Sequence, residues 1–222
     1  MAFKSYLTRQ YEHTHENSFF RAVSTQLRKA FGQQDGLNIL LGNISCNGHQ
    51  IDSIFISKGK IIVIDFKNYG GKLTFSENNP WQIHNGKDFV FVKGGGGIRN
   101  PFQQVNAYRH SLIQFLSNKQ KEILEPNHDS LNFGHISTLV LFHQPVTFDE
   151  NDIPQNINKY FGIADNNNCI ATIVDRASNQ LNFSDSEINN ILTVLDIKEE
   201  NLFDEKNEPE TNNQPTEIPN AA

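Results

Sequence analysis

The 222-residue chain is poor in cysteine, with only Cys46 and Cys169. Two thiols so far apart supply neither a disulfide framework nor a zinc cluster, and both are expected to be small buried core residues. Long apolar runs are missing too: nothing approaches the roughly 18–20 residues that cross a bilayer. The opening stretch MAFKSYLTRQYEHTHE has no apolar signal-peptide centre. A cytoplasmic protein without a membrane partner is therefore expected. Basic charge is also scarce. The formal net charge is −6, the wrong sign for a protein that grips nucleic acid over its whole surface. The excess is confined to one end. Residues 199–222 hold seven of the 25 acids (Glu199, Glu200, Asp204, Glu205, Glu208, Glu210, Glu217) and one of the 19 bases (Lys206), leaving 18 of each upstream. A neutral body can still carry a local basic groove.

Other absences narrow the chemistry. No Gly-x-Ser-x-Gly element occurs, which argues against acyl transfer. The eight histidines show no HxxxH pattern that would mark a zinc site, and none is assigned a role. The glycine run at 94–97 lacks the Lys-Ser/Thr ending of a phosphate-binding loop and suits a connector, or a place where backbone nears a ligand.

What remains is an ordinary globular composition, 37% hydrophobic and 20% charged. It fits one domain over residues 1–198 and an acidic, disordered tail or linker over 199–222. In HENSFFRAVSTQLRKAFG, apolar residues recur at three- and four-residue spacing before Gly32, which marks a helix with Glu16 in its first turn. Strands are expected at 38–44, 50–57 and 60–67, the last two forming an antiparallel pair around Lys58-Gly59. The run Ile61–Ile64 is apolar throughout, as in a central strand covered on both faces. Shorter strands KLTF, WQIH and DFVFVK follow, with Trp81, Phe89 and Phe91 as core or sheet-face aromatics, one of which could stack on a base. A helix is expected over 100–118, with Pro101 at its start. Core strands are expected at 135–142 and 170–175, separated by a loop-rich stretch around Pro145 and Pro154, before a last short helix capped by Ser184 or Ser186. The sum is an α/β sandwich: a mixed central sheet of about five strands flanked by helices.

Asp65 and Lys67 end the apolar strand on the same face, roughly 6–7 Å apart along the chain. A carboxylate among such residues costs several kcal/mol unless it is paired or bound to a metal. Lys67 alone would satisfy it. The neighbouring strand adds Asp52, so two carboxylates and an ammonium can meet, a set that suits a hard divalent ion such as Mg²⁺, with Mn²⁺ as a substitute. Glu16 could supply a further carboxylate, and the Phe66 carbonyl is the natural backbone ligand. Such an ion would polarise a phosphate and activate water while Lys67 orients that water or offsets developing charge.

Asp52, a twelve-residue spacer and Asp65-Phe66-Lys67 resemble the D…(D/E)xK core of the PD-(D/E)xK nucleases. Together with the Glu16 helix, Ile-Asp-Phe-Lys-Asn before Gly70-Gly71, and Asn100-Pro101-Phe102-Gln103-Gln104, residues 12–142 resemble the nuclease-related domain, NERD. Asp65 stands where many members have Glu. Gln104 and Tyr108, four apart on one helix face, resemble the QxxxY element of RecB-like nucleases; Gln104 would join the catalytic set, and Tyr108 would contact substrate. The resemblance implies a restriction-endonuclease-like fold and Mg²⁺-dependent cleavage of DNA, endo- or exonucleolytic, in DNA processing or defence against foreign DNA. It also implies a helicase or another defence or repair protein as partner. Self-association is left open, as are an RNase and a catalytically silent nucleic-acid-binding or assembly module.

Overall fold

A computed structural model describes residues 3–203 except 87, 96, 129, 177 and 179. Among these residues the order is β1 (Phe3–Leu7), α1 (Thr14–Phe31), β2 (Asn38–Cys46), β3 (His49–Ser57), β4 (Lys60–Lys67), β5 (Gly71–Thr74), β6 (Trp81–His84), β7 (Phe89–Val92), α2 (Pro101–Asn118), α3 (Gln120–Ile123), β8 (Ser137–Phe142), β9 (Val146–Thr147), α4 (Gln155–Asn158), β10 (Phe161–Asp165), α5 (Cys169–Asp175) and α6 (Asp185–Val194).

Six strands form a mixed central sheet in the order β1-β2-β3-β4-β8-β10. The Lys58-Gly59 turn sets Ser57 opposite Lys60, so β3 and β4 pair antiparallel, whereas β8 lies parallel to β4 on its other side. β4 is buried from Lys60 to Phe66. Alternation divides its side chains between two layers. Ile62, Ile64 and Phe66 pack with Phe19, Phe20, Val23 and Leu27 of α1. Ile61 and Val63 share the opposite core with Val105, Tyr108 and Leu112 of α2. Helices thus cover both faces, as the unbroken apolar run requires. No helix among the described residues is long and apolar enough to cross a membrane.

A second sheet, β7-β6-β5-β9, sits against the α2 side. Leu73, Trp81, Ile83 and Val92 turn inward and are buried. Asn100 ties this sheet to α2. Its Oδ1 caps the helix by accepting from the Gln103 N–H (2.9 Å), and its Nδ2 donates to the carbonyls of Ser76 (3.2 Å), Glu77 (3.1 Å) and Asn79 (2.8 Å). Asn100→Ala removes the cap and the three bonds by which this buried amide holds residues 76–79, so a stability loss of about 2–3 kcal/mol is expected. Chemical denaturation of the two proteins measures it.

Several expectations needed correction. The central sheet has six strands, not about five, and residues 170–175 are helical. In α5, Cys169 and Ile173 are buried while Val174 is exposed, a helical period that the β-branched residues concealed. The strand lies just before it, in Phe161–Asp165, where Gly162 and Ala164 weaken the β signal. Asn168 Oδ1 accepts from the Asp165 N–H (2.8 Å) and turns the chain into the helix. The buried Lys60 ammonium caps the far end of α5 through the carbonyls of Ile173 (3.1 Å) and Val174 (3.0 Å). β1 was not anticipated. Leu202 bridges to Tyr6 at this edge of the sheet, and Phe203 is buried against Phe20. Packing therefore runs past residue 198; residues 204–222, the rest of the expected tail, lie outside the described residues.

Candidate active site

The site forms where β3 and β4 separate. Their ladder ends at the pair Ser53–Ile64, which leaves the Phe66 N–H without a strand partner on that side. Asp52 Oδ2 accepts it at 2.7 Å. Asp52 can turn that way because β2 and β3 are kinked beside it. Between the pairs Gly42–Ser53 and Ile44–Ile51, Asn43 adopts a left-handed φ of 57°. Ile51 and Ile54 consequently face the same core although they are three positions apart, a spacing that puts strand residues on opposite faces. Asn tolerates that backbone better than most residues, and Asn43 Nδ2 fixes the kink by donating to the carbonyls of Arg9 and Gln10, both at 3.1 Å.

Asp65 is fully buried. The Lys67 ammonium donates to its Oδ1 at 3.0 Å and lies 2.8 Å from Oδ2, but off a hydrogen-bonding direction, so Oδ2 has no hydrogen-bond partner. Lys67 also donates to Gln104 Oε1 (3.2 Å). That oxygen takes a second bond from the Gly95 N–H (2.9 Å), within the expected glycine connector, while Gln104 Nε2 donates to the Tyr108 hydroxyl (2.6 Å). One chain of contacts therefore runs from Asp65 through Lys67 and Gln104 to Tyr108.

The electrostatics follow from enclosure. Asp52 keeps some solvent contact, but protein crowds its carboxyl closely. Burial first, and then the charge of Asp65, push its pKa up to about 8 against the relief given by Lys67 and the Phe66 N–H. Burial also raises Asp65, opposed by the charge and hydrogen bond of Lys67 and by hydrogen bonding from the protonated Asp52 carboxyl. For Lys67, burial favours the neutral form, but the two carboxylates outweigh it and its pKa rises. Burial pushes the Tyr108 hydroxyl up to about 12, so it stays protonated. Without a cation the raised pKa of both carboxyls favours holding a proton on the pair near neutrality.

The fold thus brings Asp52, Asp65, Lys67, Gln104 and Tyr108 together. Glu16 stands further off. Half-buried in the first turn of α1, it adds repulsion to both carboxyls, yet no group of three or more His, Cys, Asp or Glu side chains among the described residues forms a ready-made metal cage. The ligands open to a hard cation are Asp52, the unpartnered Oδ2 of Asp65 and the Phe66 carbonyl. Because the Lys67 carbonyl accepts from the His143 N–H on the β8 side (2.9 Å), strand alternation turns the Phe66 carbonyl toward Asp52.

Sequence reasoning did not identify Tyr11, Asn43 or Gly95 as parts of this site. The Tyr11 hydroxyl donates to the Asp52 carbonyl at 2.6 Å. Burial, Asp52 and Glu16 together hold its pKa well above the usual phenol range. An Asn inside the apolar strand NILLGNISC was the one local signal of the kink.

Comparison with known proteins bears on the family. Neither the curated proteins nor the solved structures contain a match. A family model described as nuclease-related domain matches residues 13–143, from the start of α1 to the residue after β8, and spans all seven residues of the expected site. With more than half of its length in that match, the chain belongs to the NERD, or nuclease-related domain, family.

Proposed function

We propose that the protein is a metal-dependent nuclease that hydrolyses DNA phosphodiester bonds, with Mg²⁺ as its ion and Mn²⁺ as a substitute. The observation that carries this reading is the pair of Asp65 and Asp52: a fully buried carboxylate whose Oδ2 is held by the charge of Lys67 without a hydrogen bond, beside a second carboxyl whose pKa is raised. Two enclosed carboxyls repel each other once ionised, and one ammonium cannot neutralise both, so the pair points to a cation. Asp52, Asp65 and the Phe66 carbonyl would hold it, with Glu16 as an outlying carboxylate. A divalent ion there supplies phosphate polarisation and a water of lowered pKa.

The chain's own groups do the rest. Lys67, fixed by Asp65 and Gln104, sets an ammonium beside the two carboxyls, where it can orient the attacking water and offset charge developing on phosphate. Tyr108 accepts from Gln104 through its oxygen, which leaves its own proton free for a substrate oxygen. Family membership supports a setting in DNA processing or defence.

The test is to incubate the purified protein with plasmid, linear duplex, single-stranded DNA and RNA in Mg²⁺, Mn²⁺ or EDTA. DNA cleavage that needs the metal is expected. Cleavage persisting in EDTA overturns the metal mechanism, exclusive cleavage of RNA reassigns the substrate, and binding without cleavage of any substrate identifies a silent nucleic-acid module.

A further inference from the structure

The outer face of the small sheet has an unusual composition. Its register sets Phe89 opposite His84, Phe91 opposite Gln82, and Lys72 beside His84. Since Trp81, Ile83, Val92 and Leu73 point inward, the residues between them point to solvent. On β7 these are Phe89 and Phe91, 68% and 54% exposed. Two phenyl rings so exposed on one short strand gain nothing for the fold; water contact costs each much of the stabilisation that burial would give. The ring of His84 lies 4.7 Å from that of Phe89 and extends the aromatic surface inward.

Around the rings the outer positions are Gln82 on β6, Lys72 and Thr74 on β5, and Thr147 on β9: donors and one cation, with no carboxylate. Asp88 belongs to the hairpin turn, where its carbonyl accepts from the Asn85 N–H (3.3 Å). Such a face complements a polyanion carrying flat apolar rings. The sheet also adjoins the candidate site at both ends. β5 begins at Gly71, just beyond Lys67, and β7 leads directly to Gly95, whose N–H holds Gln104.

We infer that this face is a platform for single-stranded nucleic acid: bases stack on Phe89 and Phe91, Lys72 meets the backbone, and the strand is led toward Asp52 and Asp65. Bases in a duplex already stack on one another and present no free faces, so the platform selects unpaired strands. The inference deepens the nuclease reading and rests on it for the direction of the strand, but binding itself requires no catalysis.

The full chain carrying Asp65→Asn, in EDTA so that nothing is cleaved, is titrated into a fluorescein-labelled 15-nucleotide oligothymidine and into a duplex of equal length, and anisotropy is recorded. Tighter binding of the single strand is expected, and adding Phe89→Ala with Phe91→Ala should weaken it by about tenfold or more. Tyrosines at both positions should restore it. The melting temperature of each variant confirms that exposed side chains were removed without loss of fold. Unchanged single-strand affinity in the double alanine variant overturns the platform, as does a wild-type dimer in sedimentation that the alanines dissociate, since the rings would then join two copies of the chain. If cleavage fails everywhere while the stacking signature holds, the nuclease reading falls and the platform stands.

Discussion

Asp65→Asn is expected to reduce metal-dependent cleavage by about 10³-fold or more, since losing a coordinating carboxylate removes several kcal/mol of transition-state stabilisation and about 1.4 kcal/mol is a factor of ten. Asparagine keeps the size of the side chain and an oxygen for the Lys67 ammonium, so the packing around β4 is preserved while the charge goes. The fold should suffer less than in Lys67→Ala, because the Lys67 ammonium keeps Asp52 as a counter-charge and Gln104 Oε1 as an acceptor. Asp65 is fully buried, and burial already disfavours its ionised form; a neutral amide removes that cost. Lys67→Ala would be a poorer first choice. It strands a buried carboxylate, which typically costs about 3–5 kcal/mol, and a lost activity would then mix chemistry with unfolding. Initial rates of plasmid nicking in Mg²⁺, read beside thermal melts followed by circular dichroism, separate the two effects. Cleavage by Asp65→Asn within about tenfold of the parent would remove Asp65 from the centre of the mechanism.

Much of this centre was legible in the sequence because local rules determined it. A strand buried on both faces demands an unbroken apolar run, and Ile61–Ile64 supplies one, so an acid and a lysine directly after it stood out. Two-residue spacing placed Asp65 and Lys67 on one face; four-residue spacing placed Gln104 and Tyr108 on one helix face, and the structure joins the pairs through Lys67 and Gln104. What escaped notice depends on tertiary context. β1, Phe-Lys-Ser-Tyr-Leu, is short and lacks a regular apolar–polar alternation, and it is anchored by β2 and by Leu202. The helix at Cys169–Asp175 holds β-branched residues whose strand preference is overruled by the turn at Asn168 and by the Lys60 ammonium at its far end. The kink at Asn43, which frees Asp52 to reach Phe66, depends on backbone carbonyls of residues 9 and 10, more than 30 positions away in the chain.

Asp52→Asn should make the metal-free protein more stable at alkaline pH while removing its activity, and the sign follows from the direction of the Asp52 shift. Its carboxyl titrates near 8 in the folded chain against 3.8 for the ordinary group, so the folded state binds a proton that the unfolded state releases. Stability from this group is complete below the ordinary carboxyl range, declines as pH rises, and levels off above about 8. In EDTA, melting temperature should therefore fall between pH 7 and 9. That window avoids His143, whose pKa is lowered by burial and by His15 and which is already neutral there. In the Asp52→Asn protein the fall should flatten, because an amide neither titrates nor repels Asp65. Millimolar Mg²⁺ or Mn²⁺ should restore the parent at pH 8 to 9 and leave the variant unmoved, since an ion replaces the shared proton only where two carboxylates can receive it. Differential scanning calorimetry across the series decides the matter. A parent melting curve that ignores both pH and metal in that window would mean that Asp52 titrates as an ordinary carboxyl, and the paired site would lose its physical basis.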